Sequence, residues 1–264
     1  MRPFLYKPVQ NAQDAVVLAA GRADAHVRSR TQFLAGGTTL IDLMKIDVMR
    51  PEELIGIKSI GDPSMHRIEA GPQGLRIGAL VTMAEAADHP VIKQTYPVLS
   101  QSLWMAASQQ LRIMATLGGN VLQRTRCNYF RETLYPCNKR EPGTGCAALE
   151  GVNRGHAVLG TSSGCIATYP GDWAQGMIAL DAKVELLSQN GKRTLPFGDL
   201  HREPGNTPHI ETVLEPGELI TGFTVPPGPH TKRSLYLKIR DRDSYEFALT
   251  SAAVALDLDG KGRP

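Results

Sequence analysis

Four cysteines, Cys127, Cys137, Cys146 and Cys165, are the side chains best suited to chemistry, and all fall in one stretch from Thr116 to Asp172. Nine, eight and eighteen residues separate them, in a segment dense in Gly, Pro, Asn, Thr and Arg that lacks helical or strand periodicity. So long a segment needs an ordering force other than regular structure, and thiolates gathered on a metal supply one. Two disulfides would need an oxidising compartment, whereas four cysteines confined to one loop favour ligation. Such a quartet suits Zn(II) or an iron–sulfur cluster. Structural zinc sites pair cysteines roughly two to four residues apart. The closest pair here encloses eight, so a [4Fe–4S] cluster fits more naturally, with the metal itself left open. The amides of Gly143, Thr144 and Gly145 and the cations Arg126, Arg131, Lys139, Arg140 and Arg154 either offset a cluster's negative charge or form a solvated basic loop.

Two glycine pairs upstream point to a second binding function. Gly36-Gly37-Thr38-Thr39 follows a predicted strand, Thr31 to Ala35, and precedes Leu40-Ile41-Asp42-Leu43-Met44-Lys45, which has helical periodicity. A strand, a tight turn and a helix start present main-chain amides to a phosphate; the plain alternative is an ordinary strand-to-helix turn. Thr116-Leu117-Gly118-Gly119-Asn120 ends an apolar run and reads as a loop against which a ligand can lie, or as a hairpin turn. Asp172 precedes Trp173 to Leu180, where its carboxylate either caps a helix or accepts from a ribose or adenine.

The elements that position these residues read as a mixed α+β chain. Asn11 is a candidate N-cap for a helix to Ala20, stopped by Gly21. Thr82 caps Met83 to Asp88, and a helix runs from Val98 to Ser108. Strands are expected at Glu53 to Ile57 and Leu75 to Leu80, and in a hairpin of Lys183 to Leu187 and Arg193 to Phe197 around Asn190-Gly191. Further strands fall at Leu219 to Val225, at Ser234 to Arg240 and within Phe247 to Leu256. Boundaries fall at 1–58, 59–215 (with the cysteine insert at about 121–167) and 216–264. The last unit reads as incomplete, because Asp259 to Pro264 looks like a turn expecting another strand. Across 264 residues, 42% hydrophobic with a net charge of +3, no Lys/Arg block marks a nucleic-acid partner. No apolar run nears the roughly 20 residues of a membrane span, and Met1 to Tyr6 lacks a secretory core. On its own signals the chain is expected in the cytoplasm.

The ordered set Ala35 to Leu40, Thr116 to Asn120, Tyr169-Pro170-Gly171-Asp172, Lys238-Ile239-Arg240 and Ser244 to Ala248 resembles the FAD-binding subunit of molybdenum hydroxylases, the xanthine dehydrogenase family. The resemblance covers nearly the whole chain. It implies an FAD-binding fold of the vanillyl-alcohol oxidase/PCMH type, with two N-terminal α/β subdomains and a partial C-terminal α+β domain. Gly36, Gly37, Thr38, Thr39, Leu40, Thr116, Gly118, Gly119 and Asn120 would cradle the FAD pyrophosphate, Asp172 would contact the adenosine, and Ile220 and Lys238 would sit near the flavin. The cysteine insert departs from most of the family. It is similar to the [4Fe–4S] insert of the FAD subunit of 4-hydroxybenzoyl-CoA reductase, and more so to the FAD and iron–sulfur subunit of bacterial periplasmic aldehyde oxidoreductases. That implies a heterotrimer with a molybdenum-cofactor subunit and a [2Fe–2S] subunit, an external electron acceptor, periplasmic residence by co-export with a signal-bearing partner, and no catalytic side chain in this chain. Two alternatives stay open: a stand-alone FAD-dependent reductase of related fold, and a zinc-stapled nucleotide-binding scaffold.

Overall fold

The strands of the protein, seen in a computed structural model that describes residues 1–20 and 29–263, form three sheets among the described residues. The first is parallel, with β1 (Leu5–Pro8), β2 (Thr31–Leu34) and β3 (Glu53–Gly56) in the order β1-β3-β2. All four residues of the central β3 are buried, as expected of a parallel strand covered on both faces. The second is antiparallel, with β4 (Ile68–Gly71), β5 (Gly74–Gly78), β6 (Lys183–Ser188), β7 (Gly191–Pro196) and β8 (Leu219–Val225) in the order β4-β5-β8-β6-β7. The third is the antiparallel pair β9 (Ser234–Ile239) and β10 (Thr250–Ala255). With its short helices the chain is the α+β protein expected.

Several helix starts follow from local sequence. Asn11 caps Ala12–Ala19 by accepting from the Asp14 amide at 2.8 Å. The Gly21 stop lies outside the described residues. Thr82 and Glu85 form a capping box on Met83–Asp88, which satisfies two orphan donors reciprocally.

Three expectations are corrected. The helix from Val98 ends at Trp104 rather than Ser108: Ala107 takes a positive φ of 51° and Ser108 caps a separate helix, Gln109–Met114. Gly118-Gly119-Asn120 is neither an open loop nor a hairpin but the body of a helix, Leu117–Val121, capped by Thr116. The boundary at 216 cuts the second sheet, because β8 lies at its centre between β5 and β6.

Two clusters make the core. In the larger, Trp173 stands edge-on to Phe223, centroids 5.0 Å apart at 90°, and packs with Phe197 between the helix Asp172–Ala179 and the second sheet. The smaller joins Leu43, Met44, Val48, Met49 and Leu54 to Phe130 and Cys137 of the insert. The insert is thus docked on the helix that follows the first glycine pair. The third sheet alternates inward and outward side chains, leaving Leu235, Leu237, Ile239 and Val254 on an exposed face. No helix among the described residues is long and apolar enough to cross a membrane.

Candidate cofactor cavity and cysteine insert

Both glycine pairs line one cavity of about 830 Å³, shared with Phe33, Arg124, Lys139, Cys165, Tyr169, His201, Glu211 and Ile220. Its size falls in the upper range of small-molecule and cofactor sites. The first pair meets the main chain of Met114 and Ala115, just before the second pair. A Cβ on Gly36 would come 1.9 Å from the Met114 carbonyl oxygen, so only glycine permits this approach. Gly37 takes φ of 73°, and the helix Leu40–Lys45 starts at Thr39 without a side-chain cap. The amides of Gly36, Gly37, Thr38, Thr39 and Leu40 donate to no acceptor among the described residues. They are the unspent donors a phosphate needs.

The second pair differs, which corrects the expectation that its amides serve a phosphate too. Leu117 N–H donates to Val81 O, Gly118 N–H to Ala79 O at 2.9 Å, Gly119 N–H to Thr116 Oγ1 and Asn120 N–H to Thr116 O. Gly118 instead allows close packing, with Ala79 Cβ 3.1 Å from where its own Cβ would stand. What remains for a ligand is room beside Gly119; Asn120, expected at the cofactor, lies outside the cavity lining, its Nδ2 donating to Met83 Sδ at 3.4 Å and its Oδ1 buried without a partner among the described residues. Val121 O at this helix's end accepts from Tyr169 Oη at 3.0 Å and lies 2.9 Å from His201 Nε2. The hydroxyl is one donor and His201 supplies a second from the Nε2–H tautomer. Burial lowers the His201 pKa, so the ring is neutral in the fold.

Asp172 does not cap its helix. Gly171 is the cap residue, and the Asp172 carboxylate accepts instead from Tyr236 Oη at 2.5 Å and Lys238 Nζ at 2.8 Å. Lys238, its side chain 1% exposed, also donates to Met105 O. A buried cation of this kind persists only when paired. Burial, first, and the Asp172 contact push the Tyr236 hydroxyl pKa well up. Ile220 lines the cavity, while Asp172 and Lys238 lie outside its lining and are bonded to each other.

The four cysteines are free thiols. Cys137 and Cys146 face each other across an antiparallel bridge held by Asn138 N–H to Gly145 O and Ala147 N–H to Pro136 O. Burial, first, raises the Cys127 pKa, opposed by the Phe130 and Tyr129 amides and reinforced by charge on Cys137 and Cys165. Burial likewise raises Cys165, with Ala167 N–H and Lys139 opposing and Cys146 and Cys137 reinforcing. Each thiol therefore sits in the field of others of the set. Among the described residues no three His, Cys, Asp or Glu side chains converge tightly enough to hold a single metal ion. His156, which no motif signalled, places Nε2 3.2 Å from Cys127 Sγ.

The residues expected to tune a cluster are mostly committed elsewhere. Gly143 and Gly145 donate to Asn138 Oδ1 and Thr144 to Glu141 O. Arg126 and Arg131 bind Asp42, and the Arg131 hydrogen bond, first among the causes, lowers that carboxyl's pKa. Arg140 is buried and donates to the carbonyls of Tyr129, Phe130, Thr133 and Tyr135. These arginines fasten the insert to itself and, through Asp42, to the helix after the first glycine loop; of the five cations Arg154 alone is exposed.

A cavity with a row of unspent amides beside a cysteine insert is the layout of a dinucleotide-binding redox subunit, and the comparisons agree. Residues 3–228 match the family described as FAD binding domain in molybdopterin dehydrogenase. The chain belongs to that family, as an FAD-binding oxidoreductase subunit of the molybdenum hydroxylases. It is 48% identical over 264 residues to the aldehyde oxidoreductase FAD-binding subunit PaoB of Escherichia coli (strain K12), spanning 100% of this chain and 80% of that protein. It is 26% identical over 227 residues to the carbon monoxide dehydrogenase medium chain of Afipia carboxidovorans, spanning 86% of this chain and 61% of that one. The solved structure of reconstituted CO dehydrogenase from Oligotropha carboxidovorans superposes with a TM-score of 0.69 at 24% identity, over 98% of this chain and 72% of that one. The fold is thus the PCMH-type FAD-binding fold expected.

Proposed function

We propose that this chain is the FAD- and [4Fe–4S]-containing electron-transfer subunit of a molybdenum-dependent aldehyde oxidoreductase. Its place is between a molybdenum-cofactor subunit and a [2Fe–2S] subunit on one side and an external electron acceptor on the other. The observation that carries the reading is the 48% identity to an aldehyde oxidoreductase FAD-binding subunit along the whole chain. The cavity fits the flavin dinucleotide on its own chemistry, through the unspent amides of Gly36 to Leu40, the room beside Gly119 and a volume of about 830 Å³. Four free cysteines in mutual electrostatic reach fit the iron–sulfur cluster.

Bound FAD supplies exchange between one- and two-electron chemistry and the cluster a one-electron site. The chain's residues do the rest. Gly36 to Leu40 bind phosphate oxygens without a lysine, Gly119 leaves room, and Tyr169 and His201 fix the helix end beside the cavity through Val121 O. Cys127, Cys137, Cys146 and Cys165 ligate iron. No side chain acts as acid or base on an aldehyde here. Residence in the periplasm, by co-export with a signal-bearing partner, belongs to the same proposal; cell fractionation tests it, and recovery in the cytoplasm counts against it.

The decisive measurement is iron per chain and the absorption spectrum of the purified complex. Flavin bands with a broad, dithionite-bleachable absorption are expected. In Cys146→Ser, iron per chain should fall while flavin remains; unchanged iron removes Cys146 from the ligand set. Flavin without iron points to the stand-alone reductase, and a colourless zinc protein to the scaffold.

A further inference from the structure

Arg124 lies at the entrance to the cysteine insert and lines the cavity that holds both glycine pairs. Its side chain is 5% exposed, with the guanidinium carbon 5.4 Å from the Phe130 ring centre. Nη2 stands 2.5 Å from Glu211 Oε2. Nε and Nη1 are buried and have no hydrogen-bond partner among the described residues. The same carboxylate also holds Lys139 at 3.0 Å. Among the described residues the buried Arg124 and the mostly covered Lys139, 11% exposed, thus share the Glu211 carboxylate, and the neighbouring buried carboxylate, Glu218, is taken by Arg193. The remaining acids of the lining, Glu203 and Glu215, are exposed. A desolvated guanidinium with donors unmade, in a lining whose described residues carry more buried positive than negative charge, is unfavourable unless an anion completes it.

We infer that Arg124 is a binding residue for the diphosphate of the dinucleotide, a cationic contact contributed by the cysteine insert in addition to the neutral amides of the first glycine loop. This rests on the FAD reading above. A planar guanidinium with N–H groups still to place is matched to phosphate oxygens. Glu211 holds the side chain in position and neutralises Lys139, leaving the diphosphate to complete the charge balance.

The test uses the full chain in its assembled complex, stripped of flavin, with ADP and riboflavin as separate probes and FAD as the whole ligand. Arg124→Gln is expected to weaken ADP and FAD by about ten- to hundredfold, the range of a lost charge-assisted hydrogen bond, and to leave riboflavin unchanged. Glu211→Gln is expected to tighten ADP or leave it unaltered, because it removes a competing anion. ADP binding unchanged in Arg124→Gln overturns the assignment, as does a loss confined to riboflavin, which would put the guanidinium at the flavin end. ADP weakened equally by Arg124→Gln and Glu211→Gln means a merely structural role and also overturns it. If Arg124→Gln does not fold, Arg124→Lys decides: retention of much of the ADP affinity supports a cationic contact, and none sinks it. Wild-type complex that holds no flavin and binds neither probe defeats the FAD reading itself, an outcome distinct from those above.

Discussion

The two glycine pairs look alike as strings and do opposite things with their backbones. The amides of Gly36-Gly37 and of the three residues after them donate to nothing among the described residues, while the amides from Leu117 to Asn120 are all taken by Val81, Ala79 and Thr116. One pair offers donors and the other offers room. A glycine pair is therefore not one kind of site: what it gives a ligand depends on whether neighbouring elements have already claimed its N–H groups.

That contrast can be tested in order of expected effect. Gly36→Ala should do most damage, since the new Cβ meets the Met114 carbonyl at 1.9 Å and pushes the first glycine loop away from the Met114–Ala115 main chain; a loss of about 3 kcal/mol, at the high end of overpacking, should appear in melting together with reduced FAD per chain. Wild-type melting would mean that the loops are not in main-chain contact. A smaller effect is expected from acid. His201, neutral and buried with its pKa lowered, must gain a proton on unfolding below its ordinary value near 6.5. The folded form binds that proton less well than the unfolded chain, so this contribution is complete above about pH 6.5 and is lost as pH falls below it. His201→Gln should flatten the slope of melting temperature between about pH 5 and 7, and an unaltered slope rules out this residue as the cause. Least is expected of Gly119→Ala, where Thr116 Oγ1 at 3.2 Å is the sole neighbour. Helix propensity favours alanine by about 0.5–1 kcal/mol, so stability should hold or rise slightly while FAD affinity drops. Unchanged FAD affinity would show that the room beside Gly119 is not used.

What could be read locally was read. Asn11, the Thr82 cap and the Asn190-Gly191 hairpin are set by neighbours within a few residues, although the Glu85 half of the capping box was not anticipated. The four cysteines stand out in the sequence because their residue type is rare in the chain. Gly118-Gly119-Asn120 was misread because glycine disfavours helices, yet the Thr116 cap and the burial of Leu117 and Val121 outweigh that. Arg126 and Arg131 meet Asp42 from 84 and 89 residues away, and Lys238 meets Asp172 across 66. No spacing rule reaches such pairs. β8 was placed beyond a boundary for the same reason: Glu215-Pro216-Gly217-Glu218 marks a turn, but the strand's partner β5 was set much earlier in the chain.

The outward face of β9 and β10 carries a consequence for handling the protein. Leu235, Leu237, Ile239 and Val254 stand bare on a ribbon of two strands whose outer edges pair with no further strand among the described residues. An uncovered apolar ribbon with free edges is a template for self-association. Purified away from whatever shelters it, this chain will be colloidally fragile, with light scattering that climbs with protein concentration and with kosmotropic salt.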